Sequence, residues 1–372
     1  MQERCLLLDG RAVKIAVAMS GGVDSSTAAY ILKSAGHEVV GLSMQMYDNL
    51  QNADSPYGGC CTIDDLADAR RVAWKLDIPH FTLNLEQNFH EKVITPFVQS
   101  YLSGMTPSPC VLCNTHVKFD LFHQKALAIG AEKIATGHYA RVTKSGDAYE
   151  LRKAKDLAKD QSYFLFELAQ GQLSEALFPL GELTKPEVRD IAEEAGLSVA
   201  RKKESYEICF VPQKDGYASI VEREAGITAG SEAGEVVDVE GNVVGRHDGY
   251  YHFTIGQRRG LQIGGAPDRT YVIDVNPFTK RVTVGPASAL ERDELIAEKM
   301  HWISGQPPAG PIEVQARVRS RAADVAATVT PLDGGRARFA FAQKLRAVAP
   351  GQAVVMYDGD VCLGGGWICG TG

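Results

Sequence analysis

Two kinds of side chain in this sequence are arranged to do chemistry: hydroxyls and a carboxylate around a glycine pair, and thiols at short spacing. The first group is Ser20-Gly21-Gly22-Val23-Asp24-Ser25-Ser26. It follows Lys14-Ile15-Ala16-Val17-Ala18-Met19, which reads as a buried strand, and precedes a helical pattern closed by Gly36. A chain that leaves a strand through two glycines aims backbone N–H groups at an anion, and the serines add hydroxyl donors. Asp24 is the odd member, because a carboxylate repels phosphate unless a cation lies between them. Mg²⁺ bridging Asp24 and phosphate is the expected remedy. The loop is neither G-x-x-x-x-G-K-[ST] nor G-x-G-x-x-G, so it is not a Walker loop or a dinucleotide fingerprint.

The thiols form the second group. Of eight cysteines, Cys60 and Cys61 are adjacent, Cys110 and Cys113 make a CxxC, and Cys5, Cys209, Cys362 and Cys369 stand apart. No second CxxC and no spaced histidine pair completes a zinc site. Pro109 suits a first helical turn, which puts Cys110 and Cys113 near a helix N-terminus. There the helix dipole favours thiolate and lowers a pKa from about 8.5 towards neutrality. Cys209, between Ile208 and Phe210, reads as part of an apolar strand flanked by Glu204 and Glu207; on its residues alone it is a buried structural cysteine. His116 and His123 lie seven apart on one helix, which helical repeat explains without a metal, and Trp74 and Trp302 read as core.

The elements that must position these groups alternate. "HEVVGLSMQM" and "HFTLNL" are further strands, and "IDDLADARRVAWKLDI" is an amphipathic helix. "FHEKVITPFVQSYLSG" is a helix disturbed near Pro96, "VLCNTHVKFDLFHQKALAIG" is helical to Gly130, and "KIATGHYA" returns to strand. The order implies a doubly wound parallel α/β sheet, Rossmann-like, with ligands at the carboxyl ends of its strands. "LTKPEVRDIAEEAGL" adds a helix with Thr184 and Glu187 spaced as a capping box. Beyond Phe210 the composition turns to Gly, Val and Tyr. The expected domains are 1–210, α/β; 211–290, small and β-rich; and 291–372, a β-barrel.

Bulk properties narrow the function classes. The 372 residues are 45% hydrophobic and 23% charged, as in a globular protein of two or three domains. No apolar run approaches the roughly 20 residues of a membrane span, and "MQERCLLLDGRAVK" is too weak for a signal peptide, so a cytoplasmic location is expected. A net charge of −7 argues against a nonspecific nucleic-acid coat but leaves room for a local basic patch. Arg317, Arg319 and Arg321 would share one face if they lie on a strand. Arg258-Arg259 and Lys153, Lys155 and Lys159 are further candidates.

"SGGVDSS" after a strand resembles the pyrophosphate loop of the PP-loop ATPases, which cleave ATP between the α and β phosphates and activate a carbonyl oxygen as its adenylate. Taken with "TPSPCVLCNTHVKF", "ATGHYAR", "KDQSYFL", "ESYEICF", "HFTIGQRRGL" and "GQAVVMYDGDVCLGGG" in that order, the sequence resembles the bacterial tRNA-specific 2-thiouridylases over nearly its full length.

The resemblance implies ATP, a tRNA wobble uridine and a sulfur-donor protein, such as a cysteine desulfurase or sulfur relay. It implies a nucleotide loop of Ala18, Met19, Ser20, Gly21, Gly22, Val23, Asp24 and Ser25, with Met44 and Gly137 at the adenosine. Cys113 matches the nucleophile and Cys209 the persulfide carrier, while Ser108, Pro109 and Cys110 match the segment beside the target base. Ser108 stands where the family commonly has Asn. His138, Lys159, Asp160, Gln161, Arg317, Val318 and Gln352 match tRNA-contacting positions. Cys110 also opens a second route, in which Cys110, Cys113 and Cys209 hold a [4Fe-4S] cluster. Another PP-loop ligase is the remaining alternative.

Overall fold

A computed structural model describes residues 11–47, 63–203, 208–212, 214–228, 230–261, 263 and 269–371. Its first part is the expected α/β unit. The strands β1 (Lys14–Ala18), β2 (Glu38–Gln45), β3 (His80–Asn84), β4 (Lys133–Ala135) and β7 (Ala176–Leu177) make a sheet in the order β3-β2-β1-β4-β7. Every pairing is parallel. β1 is buried along almost its whole length, which is why it reads as a continuous apolar run rather than an alternating one. The order reverses between β1 and β4, so a crevice opens beyond the carboxyl ends of these two strands. Helix α1 (Val23–Ser34) follows β1, and α2 (Ile63–Lys75) precedes β3.

Beyond this unit the chain is β-rich, as expected. Strands β8 (Gly234–Val237), β9 (Val243–His247), β10 (Tyr271–Asn276) and β11 (Arg281–Gly285) form a small sheet in the order β10-β11-β8-β9. Strands β12 (Glu291–Trp302), β13 (Ile312–Arg317), β14 (Val325–Leu332), β15 (Arg336–Arg346), β16 (Ala353–Asp358) and β17 (Val361–Thr371) run β12-β15-β14-β13-β16-β17, and β17 pairs back on β12. That closes a six-stranded antiparallel barrel with no open edge. No helix among the described residues is long and apolar enough to cross a membrane.

Several local expectations are corrected. "KIATGHYA" is not one strand: β4 stops at Ala135, and Ala140 begins a hairpin, β5 (Ala140–Ser145) with β6 (Ala148–Lys153), that joins the barrel by pairing β6 with β17. The helix after Pro109 is not uniformly α: Cys113–Leu121 is a nine-residue π-helical stretch. A second π stretch, His90–Ile94, lies just ahead of Pro96. Cys209 sits in a turn, not on a strand, and Glu204 and Glu207 lie outside the described residues. Trp74 is not core; it is 86% exposed, because α2 buries Ala69, Val72 and Ala73 on its other side. The three arginines do not share a strand face, since β13 ends at Arg317 and Arg319 and Arg321 lie in the turn beyond. The Thr184 cap forms as read: the Thr184 N–H donates to Glu187 Oε2 at 2.6 Å, and the Thr184 hydroxyl does so at 2.8 Å.

Barrel and α/β unit are joined by buried charge. Arg317 donates from Nε to Asp324 at 2.6 Å and from Nη1 to Asp160 at 3.1 Å. Lys153 Nζ donates to the other Asp324 oxygen at 2.5 Å and to the Gly359 carbonyl at 3.0 Å. The side chains of Arg317 and Lys153 are only 11% and 8% exposed, so Lys153 is no surface charge. Burial raises the Asp324 pKa, but hydrogen bonds and charge from Arg317 and Lys153 outweigh it and hold the carboxyl below its usual value.

A carboxyl with a depressed folded pKa stabilises the fold above its unfolded pKa and loses that contribution as pH falls through the folded value. Asp324→Asn, which leaves the buried Lys153 ammonium without a carboxylate and Arg317 with one fewer, is expected to cost about 3 kcal/mol at neutral pH. In denaturant titrations the gap to the native protein should narrow below about pH 4. A gap that is flat down to pH 2 would contradict the role given to this network.

Candidate functional site

The crevice between β1 and β4 opens into a cavity of about 1050 Å³. Its floor is the glycine loop. Gly21 has φ +71°, and a Cβ there would sit 2.0 Å from the Asp65 carbonyl oxygen, so both the backbone turn and its packing require glycine. Gly137 after β4 presses against the same loop: its Cβ would lie 2.7 Å from the Ser25 nitrogen and 2.8 Å from the Asp24 carbonyl carbon. The two glycines let the loops after β1 and β4 meet. Within the loop, Ser25 Oγ accepts from the Ser20 N–H at 3.1 Å and lies 3.2 Å from Ser20 Oγ.

The structure brings most of the sequence-derived residues to this one cavity. Ala18, Met19, Ser20, Gly22, Val23, Asp24 and Ser25 line it, together with Met44 and Gly137. Gly21 is not on the wall; its carbonyl accepts from Lys202 Nζ at 3.0 Å. Ser108, Pro109 and Cys110 form another stretch of wall, and His138, Lys159, Asp160, Gln161, Arg317 and Gln352 complete it. Val318 is buried in the barrel core instead.

Neither Cys113 nor Cys209 lines the cavity. Cys113 is 7% exposed and belongs to the main apolar cluster, against which the half-buried Cys209 also packs. Cys209 lies between Ile208, on the cavity wall, and Phe210, whose ring contacts Phe89 and Phe97 edge-on. Cys362 is wholly buried in the barrel, and desolvation pushes its thiol up to about 12, which leaves it unreactive.

Several of the wall side chains are already engaged within the protein. Asp160 accepts from the Ala154 and Ser162 backbone N–H groups at 3.1 and 3.2 Å besides its bond to Arg317. Gln161 Oε1 accepts from the Tyr139 N–H at 2.9 Å. Burial of His138 drives its pKa well below the usual imidazole value, with the Lys118 charge adding to the effect. His138 therefore meets the cavity neutral, with Nδ1 2.7 Å from Thr136 Oγ1. Gln352, on the barrel, donates from Nε2 to the Thr106 and Pro107 carbonyls at 3.0 and 2.9 Å, and so holds the segment that leads into Cys110.

Sequence reasoning missed the lysines that matter here. Lys118, Lys185, Lys202 and Lys203 reach the cavity, so seven lysines and arginines face three aspartates on its wall. Lys185 stood in the capping-box helix and was read only for its cap; its proximity to Asp24 is a tertiary fact. Lys202 Nζ binds Asp65 and Asp68 at 2.6 Å each.

The implied metals do not fit this wall as it stands. Both Asp24 oxygens are taken by Lys185 Nζ, at 2.7 and 2.8 Å, and Oδ1 also accepts from the Tyr139 hydroxyl at 2.8 Å. An ammonium and a phenol therefore already compete with any cation for that carboxylate. Among the described residues no three His, Cys, Asp or Glu side chains gather to hold a metal ion, so Cys110, Cys113 and Cys209 do not make a cluster site.

Three family models match the chain in order: the tRNA methyl transferase HUP domain over residues 13–213, the tRNA methyl transferase PRC-barrel domain over 227–286, and the Aminomethyltransferase beta-barrel domain over 292–368. Relatives named tRNA-specific 2-thiouridylase MnmA are similar almost end to end. That of Geotalea uraniireducens is 49% identical, covering 95% of this chain and 94% of the relative. That of Geobacter metallireducens is 48% identical over 95% and 96%, and one from Clostridium botulinum is 45% identical over 95% and 97%.

Gln352→Ala removes two hydrogen bonds that hold residues 106 and 107. With each worth about 1 kcal/mol, local opening of this segment should rise about tenfold or more. Alkylation of Cys110 should quicken accordingly with the melting temperature nearly unchanged. Alkylation at the native rate would show that the barrel does not brace this wall.

Proposed function

The chain belongs to the tRNA-specific 2-thiouridylase family, and from that premise we propose that it replaces the C2 oxygen of a tRNA wobble uridine with sulfur at the expense of ATP. The observation that carries this reading is a single cavity joining the glycine loop to the Ser108–Cys110 wall under an excess of positive charge. We assign residues 1–210 to the catalytic domain, 211–290 to a central domain that helps grip tRNA, and 291–372 to a barrel that completes the cavity.

The chemistry follows from what each part can do. Adenosine sits between Met44 and Gly137, and the backbone N–H groups and serines of the loop hold the pyrophosphate. The uridine C2 oxygen attacks the α phosphorus; the bond to the β phosphate breaks, pyrophosphate leaves, and the oxygen becomes part of an AMP leaving group. A sulfur-donor protein, a cysteine desulfurase or a relay protein, has meanwhile left a sulfane sulfur on Cys209 as Cys209–S–SH. The Cys113 thiolate attacks Cys209 Sγ and expels HS⁻, leaving a Cys113–Cys209 disulfide. HS⁻ adds to C2 and AMP departs with the C2–O electron pair. A thiol reductant then returns both cysteines to thiols. Packing of Cys113 and Cys209 against the same apolar cluster supports this pairing of roles across the ninety-odd residues between them. The reaction suits a protein of the cytoplasm, where tRNA and reductant are present.

Positive charge concentrated on a chain of net charge −7 supports a local RNA grip. Affinity for a tRNA transcript should fall about tenfold or more between 50 and 200 mM salt, and a flat response would contradict electrostatic binding. Cys113→Ser and Cys209→Ser should each abolish thiolation, read as retardation of the tRNA in a mercury-containing gel. Cys369→Ser, at an exposed position on the barrel, should thiolate normally. Near-native thiolation by Cys113→Ser would overturn the assignment.

A further inference from the structure

The helix that carries Cys113 is wider than an α-helix, and that geometry needs a cause. At its start the Cys113 N–H still reaches the Pro109 carbonyl, four residues back. At its end the Phe122 N–H reaches the Val117 carbonyl, five residues back. The wider ladder is rare and has no sequence of its own, so contacts from elsewhere in the fold must hold it.

The stretch between residues 164 and 172 supplies such contacts along the whole π turn. Asn114 Nδ2 donates to the Phe164 carbonyl at 3.0 Å, and Gln172 Nε2 donates to the Phe119 carbonyl at 2.7 Å. Between them the Thr115 hydroxyl donates to Glu167 Oε2 at 2.6 Å. That hydroxyl also lies 3.0 Å from the Val111 carbonyl oxygen, but it has one proton to give. The charged and nearer acceptor has the stronger claim on it. Without Glu167 the proton turns back to Val111, on the α-helical turn ahead of Cys113. Glu167 is anchored in turn by the barrel. Trp367 on β17 donates from Nε1 to Glu167 Oε1 at 2.8 Å, and its ring meets Phe166 edge-on with centroids 6.3 Å apart. One half-buried carboxylate thus ties the barrel to the second residue after Cys113.

We propose that Glu167 is a positioning residue for Cys113: held by Trp367, it keeps Thr115, and with it the π turn, in the register from which the Cys113 thiol reaches Cys209. This deepens the sulfur-transfer reading given above and rests on its choice of Cys113 as nucleophile. Attack of one cysteine on another demands Cα atoms within about 7 Å and a narrow range of dihedral angles. A small shift of the Cys113 turn is therefore felt in the rate, whereas ATP and tRNA, which meet the cavity wall, are bound as before.

The test compares Glu167→Ala, Thr115→Val and Glu167→Gln in the full chain. E167A and T115V should each lower kcat for thiolation about 30-fold, with KM for ATP and for tRNA changed by less than about twofold. E167Q should stay within about threefold of native, because its Nε2 can donate to the Thr115 oxygen while Oε1 keeps the Trp367 bond. A second readout needs no tRNA. Diamide takes two electrons and two protons from a thiol pair, and the Cys113–Cys209 linked peptide is then followed by mass spectrometry. Its formation should slow in E167A and T115V by about the same factor as kcat and proceed normally in E167Q. Should E167A fail to fold, T115V, which cuts the same tie and leaves Glu167 on Trp367, carries the comparison. Native kcat in E167A or T115V overturns the inference. So does a loss that appears in KM alone, or an E167Q as impaired as E167A. If Cys113→Ser thiolates normally, the sulfur-transfer reading fails first and this inference with it. If C113S is inactive while E167A and T115V are normal, the inference fails alone.

Discussion

Asp160 and Lys153 come from the α/β unit, Arg317 and Asp324 from the barrel, and the four charges are satisfied by one another, by backbone groups and by the Ser162 hydroxyl. Tyr357 lies beside them, with Lys153 4.1 Å and Arg317 5.1 Å from its ring centroid. Two buried cations and two carboxylates cannot be separated without stranding charge in a medium that solvates it poorly. The width of the cavity depends on this constraint. One wall, the glycine loop and the Ser108–Cys110 segment, belongs to the α/β unit; the other carries Arg317, Arg321 and Gln352 from the barrel. The β5–β6 hairpin reinforces the join by extending the barrel sheet, with Arg141 and Arg152 both donating to Asp360.

The same accounting of charge explains how an acidic chain presents a basic cavity. Its cations are concentrated where the two units meet, and some are paired with carboxylates at rest: Lys185 with Asp24, Lys202 with Asp65 and Asp68, Arg317 with Asp160 and Asp324. Pairing keeps buried ammonium and guanidinium groups tolerable in the empty state. It also sets their positions before any anion arrives, so less ordering is left for binding to do.

What could be read from sequence follows the range of the interactions involved. The parallel sheet was legible because β1 and β2 are apolar almost throughout, and the glycine loop because the positive φ of Gly21 is a demand of the local turn. The Thr184–Glu187 cap was legible for the same reason: its partners are three residues apart. Trp74 was misread because amphipathic spacing identifies a buried face but not whether a large residue at its border is covered. The π stretch at Cys113–Leu121 leaves no mark in composition, since one widened turn demands no particular residue. Lys153, Arg317 and Gln352 look like solvated side chains in sequence, because the partners that bury them lie well over a hundred residues away in most cases. Lys185 is the sharpest instance. Its helix was recognised, yet nothing local links it to Asp24, 161 residues earlier.

The burial of Cys113 and half-burial of Cys209 suit the sulfur-carrying roles proposed for them. A persulfide open to a reducing solvent loses its outer sulfur to any passing thiolate, so a carrier gains by keeping that sulfur where only a chosen nucleophile reaches it. Cys209 stands at such a boundary: Ile208 faces the cavity, and Phe210 is locked among Phe89 and Phe97 in the core. Cys113 is the next step inward, buried one helical turn beyond Cys110, which does face the cavity. On the proposed roles, the helix start at Pro109 and the positive cavity wall would favour the Cys113 thiolate. A dry thiol near a concentrated positive field is inert towards solvent oxidants and nucleophilic towards a partner delivered beside it.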